Sequence, residues 1–135
     1  MHGLLERCSR EEVTGISLFE IVNEATHVFM LAEASSKGLI AKHSVSALRQ
    51  NFSAIPPLIE YWRETERILA LNLLLFSTDE QIVRSAQSER QGAALLTNDS
   101  MIMSCMREYG IPYLATADGD FDRASGITVF GPDDL

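Results

Sequence analysis

The chain has 135 residues, of which 46% are hydrophobic and 22% are charged, and its formal net charge is −8 at pH 7. This length and composition fit one globular domain with one core and exclude a disordered chain. No apolar run approaches the roughly 20 residues that a membrane-spanning helix needs. The negative charge argues against binding nucleic acid by bulk electrostatic attraction, although bound metal ions can supply positive charge locally.

The two cysteines, Cys8 and Cys105, lie far apart in the sequence and form no CxxC pair. This pattern argues against a zinc site or a disulfide framework, and it favours free, buried thiols in a reducing compartment. The N-terminal residues also lack the charged-then-apolar layout of a signal peptide. We therefore expect a cytoplasmic protein.

The first half of the chain is predicted to be mostly helical. In chain order, the pattern predicts the end of a helix at residues 3–9, a strand at 14–18, and helices at 19–36, 40–52 and 57–70. The helix after the strand has Ile21, Ala25 and Val28 on one face. Lys37-Gly38 is a typical C-terminal stop for that helix, and Pro57 is typical of the first turn of the last one.

Strands and helices alternate in the second half. The expected elements are a strand at 71–76, a helix at 77–91, an apolar stretch at 93–97, a helix at 98–110, a strand at 111–116, a polar turn at 118–122 and a strand at 127–130. This alternation predicts an α/β fold with a parallel β-sheet flanked by α-helices. Functional sites in such folds lie at the carboxyl ends of the strands.

Acidic side chains follow two of these apolar stretches. Asp99 stands at the start of a helix, directly after the first stretch. Asp118, Asp120 and Asp122 occupy alternate positions after the next strand. Magnesium prefers oxygen ligands and is held by one or two carboxylates together with substrate phosphate. Carboxylates from two loops at one sheet edge can therefore hold an ion that polarises phosphate and activates water.

Each of these carboxylates also has a structural interpretation. Asp99 can cap the helix that it opens. Asp118 and Asp120 can be turn residues, because aspartate bonds its own backbone and tolerates tight turns. Asp122 beside Arg123 is typical of solvated surface. The pattern alone leaves these alternatives open.

The most specific motif is Thr97-Asn98-Asp99 before an apolar helix, followed by a strand and the pattern T-x-D-x-D-F over residues 116–121. In these features the segment from Leu95 to Phe130 resembles the C-terminal half of PIN domains, and it is most similar to VapC-type toxins of bacterial and archaeal toxin–antitoxin systems. A weaker similarity lies upstream, where Ile16-Ser17-Leu18 and Val22-Asn23-Glu24 match a strand that leads into a helix with an acidic residue. Together the similarity spans nearly the whole chain.

PIN domains are magnesium- or manganese-dependent ribonucleases, so the resemblance implies Mg²⁺ or Mn²⁺ as cofactor and RNA as substrate. The family site gathers three or four acidic residues around one or two metals. By motif, the matching catalytic residues are Glu24, Asp99, Asp118 and Asp120. Asp99 and Asp118 match metal ligands, and Thr116 matches a hydroxyl residue that often lies near the site. Glu20, one turn before Glu24, is the rival for its role, and both can instead be exposed helix charges.

The start of the chain departs from the family pattern. PIN domains usually begin with a hydrophobic strand that ends in an aspartate, whereas no aspartate occurs here before Asp79. We therefore expect a single PIN-like domain over residues 1–135 that is N-terminally incomplete and lacks the first strand and its aspartate. Without that strand, buried backbone groups of the neighbouring strands would be unpaired, which is costly, unless a partner or another subunit supplies a strand.

Two functions follow from these expectations. The first is a metal-dependent endoribonuclease of the PIN/VapC toxin type that cleaves RNA phosphodiesters with metal-activated water. The alternative is a catalytically impaired PIN-like protein that acts as an antitoxin-binding or oligomerisation module. The expected partners are RNA, a cognate antitoxin protein and a second copy of the chain, and no membrane association is expected. A phosphate-accepting receiver domain is disfavoured, because the chain lacks an early acidic pair and a late lysine.

Overall fold

A computed structural model describes residues 2–41 and 43–135 of the protein. Its elements, in chain order, are α1 (His2–Ser9), β1 (Ile16–Leu18), α2 (Phe19–Ser36), α3 (Val45–Gln50), α4 (Glu60–Leu69), β2 (Leu74–Phe76), α5 (Glu80–Ala93), α6 (Thr97–Glu108), β3 (Tyr113–Ala115) and β4 (Thr128–Phe130). The predicted mixed α/β fold is confirmed. None of the helices in the described ranges is both long enough and apolar enough to cross a membrane.

The strands are shorter than the sequence predicts, and they pair differently. The described strands form two two-stranded sheets, β1–β2 and β3–β4, where the pattern predicts one continuous sheet. In the second sheet the strands are parallel, with Leu114 opposite Val129. Each strand has only three residues and therefore offers few backbone groups for hydrogen bonds to a further strand.

The chain divides into two compact units. Residues 14–75 form the first, which we call the helical unit. The segment up to residue 13 and residues 76–135 form the second, which we call the carboxylate unit. The expectation of one domain over residues 1–135 stays a prediction.

The helical unit is built on the packing of α2 against α4. One buried cluster forms its core and consists of Leu31, Ala34, Ile40, Leu48, Ala54 and Leu58. The hydroxyl oxygens of Thr26 and Thr65 lie 2.9 Å apart and join α2 to α4 by a hydrogen bond. Thr65 is buried, and its hydroxyl is satisfied by this contact and by the carbonyl oxygen of Tyr61 at 2.9 Å.

Glu33 on α2 is a buried carboxylate that caps α4 from a distance. Its side chain is only 2% exposed. Its Oε1 accepts a hydrogen bond from the amide of Ile59 at 3.0 Å, and its Oε2 accepts one from the amide of Tyr61 at 2.9 Å. Ile59, the N-cap residue of α4, has no side-chain cap of its own. Lys37 completes the arrangement by donating to Oε1 at 2.5 Å.

These contacts decide the charge state of Glu33. Burial by itself would raise the pKa of this carboxyl group, but the ammonium group and the amides that donate to it lower the pKa from 4.5 to about 2. A carboxylate at the positive end of a helix is also favoured by the helix dipole. Glu33 therefore stays ionised although it is buried.

The carboxylate unit is built on α5 and α6. Asp79 caps α5 by accepting from the amide of Ile82 at 2.9 Å. The helix predicted at 77–91 runs from Glu80 to Ala93, and its C-cap, Ala94, is left-handed with φ 53°. Ser104 on α6 is buried and donates to the carbonyl of Ile82 at 3.0 Å. The core of this unit consists of Ala93, Leu95, Met103, Met106 and Phe121.

A second buried carboxylate ties this unit together. Glu89 on α5 is 8% exposed and pairs with the guanidinium group of Arg107 on α6. The same guanidinium donates to the carbonyl of Ser125 at 3.0 Å. The hydrogen bond with Glu89 raises the pKa of Arg107 above its ordinary value. The prediction of buried thiols is confirmed, since Cys8 and Cys105 are both buried and neither forms a disulfide.

Glu33→Gln is expected to lower the free energy of unfolding by about 2 to 3 kcal/mol at pH 7. Each oxygen of Glu33 accepts from one backbone amide, and in glutamine one of the two oxygens is replaced by an NH2 group, which donates. The folded-state pKa of Glu33 is depressed, so its stabilisation is present above pH 4.5 and is lost as the pH falls from 4.5 toward about 2. The variant should therefore lose less stability than the wild type between pH 5 and pH 3. Urea unfolding at several pH values measures this, with the exposed Glu66→Gln as control. Equal pH dependence in wild type and Glu33→Gln would contradict the assignment.

Candidate metal centre

Three carboxylates converge in the carboxylate unit. One side-chain oxygen each from Asp99, Asp118 and Asp120 lies within 4.8 Å of the other two. Asp118 is exposed, whereas Asp99 and Asp120 are half-buried. The structure therefore brings together three of the four acidic residues that the sequence predicts for the site.

Asp99 is delivered by the first turn of α6. The N-cap of α6 is Leu96, which makes no side-chain cap, and Asp99 is the third residue of the helix. The interpretation of Asp99 as the N-cap residue is therefore wrong. Ser100 is fully buried and donates to the carbonyl of Thr97 at 2.7 Å, which fixes this turn against the core. The positive end of the helix favours a negative charge at this position.

Asp118 is the N-cap residue of a short 3₁₀ helix, Gly119–Arg123, and Asp120 lies in its first turn, at the position of the predicted polar turn. The hydroxyl of Thr116 accepts from the amide of Asp118 at 3.1 Å, and Asp118 Oδ1 accepts from the amide of Asp120 at 2.9 Å. The turn interpretation is thus correct for Asp118. It is compatible with a ligand role, because a carboxylate has about four lone-pair positions and this bond uses one.

Phe121 explains why the turn holds its shape. Its side chain is 3% exposed and belongs to the core cluster with Met103 and Leu95. The buried ring anchors the 3₁₀ helix, so the neighbouring Asp120 is held at the edge of the core. The phenylalanine of the T-x-D-x-D-F pattern is therefore a packing residue that places two carboxylates.

Arg123 contacts this site, although the sequence pattern indicates solvated surface for Asp122 and Arg123. Its Nη1 donates to Asp120 Oδ1 at 2.9 Å. Its Nε and Nη2 donate to the carbonyls of Ala93 and Ala94, each at 3.1 Å. The sequence does contain an indication of the contact with Asp120. Arg123 lies three residues after Asp120, and side chains at this spacing are neighbours in a helical turn.

Glu24 lies in the helical unit, on α2, and it is exposed, as is Glu20 one turn earlier. A buried carboxylate needs a metal ion or a charged partner, but the exposure of Glu20 and Glu24 removes this requirement. The choice between Glu24 and Glu20 stays a prediction.

The donor set suits a hard divalent cation. Three carboxylates at this separation repel one another, and a cation between them removes the repulsion. All three side chains offer oxygen, the ligand type that Mg²⁺ and Mn²⁺ prefer over sulfur. Asp99, Asp118 and Asp120 would hold such an ion, and the exposure of Asp118 leaves a side of the group open to solvent.

A comparison with protein families agrees with this geometry. The PIN domain model matches residues 13–127. The chain belongs to the PIN domain family. No curated protein and no solved structure matches it. Membership implies a nuclease-type protein that depends on divalent metal and binds RNA as general family properties. The VapC-type assignment and the missing N-terminal strand stay predictions.

Mn²⁺ at ten times its dissociation constant is expected to stabilise the protein by about 1.4 kcal/mol, which raises Tm by about 4 °C. Asp99→Asn should lose most of this shift, because one ligand charge disappears while the helix turn remains. Differential scanning fluorimetry with and without Mn²⁺ measures it. Asp122→Asn is the control, since this exposed neighbour is not among the three converging carboxylates. A full shift in Asp99→Asn would remove that residue from the centre.

Proposed function

We propose that the protein is a metal-dependent endoribonuclease of the VapC toxin type that cleaves RNA phosphodiesters with metal-activated water. The observation that carries the proposal is the convergence of Asp99, Asp118 and Asp120 to within 4.8 Å in a chain of the PIN family. Two of these residues come from the T-x-D-x-D-F pattern and one from the Thr97-Asn98-Asp99 segment. These are the motifs that resemble VapC-type toxins.

Mg²⁺ or Mn²⁺ held by these carboxylates would polarise the phosphate and lower the pKa of a water molecule for attack. The chain's own residues set the conditions for this chemistry. The exposed Asp118 leaves the site accessible to a phosphate group, and the half-buried Asp99 and Asp120 limit the water around it. Thr116 keeps Asp118 in place by accepting its amide hydrogen.

The charge distribution favours a contact with substrate phosphate that is mediated by metal. The carboxylate unit contains no lysine, because the only lysines of the chain are Lys37 and Lys42. Among its described residues, five arginines pair with acidic residues: Arg7 with Glu12, Arg10 with Glu6 and Glu12, Arg84 with Glu80, Arg107 with Glu89 and Arg123 with Asp120. An RNA phosphate therefore meets a strongly negative surface unless divalent ions are bound.

The proposal includes an antitoxin protein and a second copy of the chain as partners. One apolar stripe on α4 supports the second copy, since Ile59, Trp62 and Leu69 share a helix face and are 53%, 47% and 46% exposed. Apolar side chains grouped on one face are typical of interfaces. A small basic protein encoded beside the gene should co-purify with the chain if the toxin assignment is correct.

Single-stranded RNA should be cleaved in the presence of Mg²⁺ or Mn²⁺ and not in EDTA. Asp118→Asn should lower the rate by at least about 100-fold, as expected for the loss of a group that acts in the transition state. A fluorogenic RNA assay measures the rate, and circular dichroism confirms that the variant is folded. Asp122→Asn, in the same 3₁₀ helix, should cleave at the wild-type rate.

The two functions proposed from the sequence give different results in this assay. Equal cleavage by wild type and Asp118→Asn would mean a contaminating nuclease or a different site. A wild-type protein that binds Mn²⁺ but cleaves no RNA would favour the catalytically impaired interaction module.

Glu24 is proposed as the fourth catalytic carboxylate. Glu24→Gln should lower the cleavage rate by about 10-fold or more, whereas Glu20→Gln should leave it unchanged. The pair is matched, because both residues are exposed glutamates on α2 and lie one turn apart. The reverse result would transfer the role to Glu20. No effect from either variant would restrict the centre to the three aspartates.

A further inference from the structure

The guanidinium group of Arg123 joins the two segments that carry the three carboxylates. One of its nitrogens donates to Asp120, in the 3₁₀ helix Gly119–Arg123. The other two donate to the carbonyls of Ala93 and Ala94, at the end of α5. The chain enters α6 directly after this point and reaches Asp99 in the first turn. Arg123 thus fixes one segment against the start of the other.

The anchor at α5 is well suited to a cation. The last carbonyls of a helix have no partner within the helix, and they carry the negative end of its dipole. Ala93 is buried, and Ala94 adopts a left-handed conformation with φ 53°, which turns the chain toward α6. Two of the three hydrogen bonds of Arg123 therefore hold the guanidinium in place independently of Asp120.

The exposed ion pair between Arg84 and Glu80 lacks this anchor. Arg84 pairs with Glu80 along α5, and both side chains are more than 70% exposed. Its Nε and Nη2 both donate to that one carboxylate. The Arg123 and Asp120 side chains are 46% and 44% exposed, and the guanidinium fork engages three separate acceptors. The donors of a guanidinium group lie in one plane and point in fixed directions, so a group that binds three acceptors holds them at fixed distances from one another. A single surface ion pair does not have this effect.

We propose that Arg123 is a positioning residue of the metal centre, which holds the Asp120 carboxylate at the distance from Asp99 and Asp118 that lets all three act on one cation. This inference rests on the proposed function, since it assigns a role within the same site. Arg123 acts through Asp120, and no contact of Arg123 with RNA or with the cation is involved.

Positioning and simple charge compensation predict opposite effects on metal affinity. If Arg123 only lowered the negative charge of the site, its removal would strengthen the attraction for a cation. If it positions Asp120, its removal lets that carboxylate move away from the other two, and affinity falls. Outer-shell partners that orient a metal ligand typically change metal affinity by about 10- to 100-fold.

The test is the dissociation constant of Mn²⁺ on the full chain, measured by isothermal titration calorimetry. Arg123→Met should raise the constant about 10-fold. Arg123→Lys should raise it less, because an ammonium group keeps the charge and reaches only part of the three acceptors. Arg84→Met is the matched control, with the same change in net charge in the same unit, and it should bind Mn²⁺ like the wild type.

RNA cleavage supplies a second readout that a purely structural role would not move. Arg123→Met should need more Mn²⁺ for half-maximal activity and should regain most of the wild-type rate at saturating Mn²⁺. Asp118→Asn should not be rescued by any concentration of Mn²⁺.

The outcomes separate this inference from the proposed function. Wild-type or tighter Mn²⁺ binding by Arg123→Met overturns the positioning role and leaves the nuclease proposal intact. A wild-type protein that binds no Mn²⁺ at millimolar concentration overturns the metal centre, and the role of Arg123 with it. Circular dichroism checks folding; if Arg123→Met is unfolded, Arg123→Lys decides alone, and an unchanged dissociation constant in that variant overturns the role.

Discussion

The close approach of three carboxylates is the constraint on which the candidate site in the carboxylate unit depends. Asp99, Asp118 and Asp120 place oxygens within 4.8 Å of one another, and nearby dipoles and charges offset repulsion between such groups. The structure supplies the first turn of α6 for Asp99, a backbone amide for Asp118 and a guanidinium group for Asp120. Together the three carboxylates would suit a hard divalent cation.

Apolar packing holds this polar group in register. Phe121 lies between Asp120 and Asp122 in the chain, and its buried ring shares a core cluster with Met103 of α6. The two segments that carry the carboxylates are therefore attached to the same core, and a close-packed core permits little relative movement. Family membership and this geometry point to the same chemistry, in which the metal supplies the positive charge that a chain of net charge −8 lacks.

A comparison with Glu33 shows how a structural carboxylate differs from those of the site. Glu33 is buried, and its oxygens accept from two helix amides and from Lys37. Its pKa is lowered to about 2, and its charge is satisfied entirely within the helical unit. Asp118, in contrast, is exposed and lies with two other acidic groups. Proximity of like charges, rather than burial of one charge, distinguishes the proposed site of this protein.

The sequence by itself determined the helix-rich α/β class, the order of the elements and the candidates Asp99, Asp118 and Asp120, because periodicity, capping residues and the T-x-D-x-D-F motif are local properties of the chain. It did not predict that the guanidinium group of Arg123 donates to the carbonyls of Ala93 and Ala94, which lie 30 and 29 residues earlier in the chain. The pairing of the strands and the capping of α4 by Glu33 were likewise decided by tertiary structure. These features depend on contacts between distant segments, and such contacts form only when the core brings those segments together.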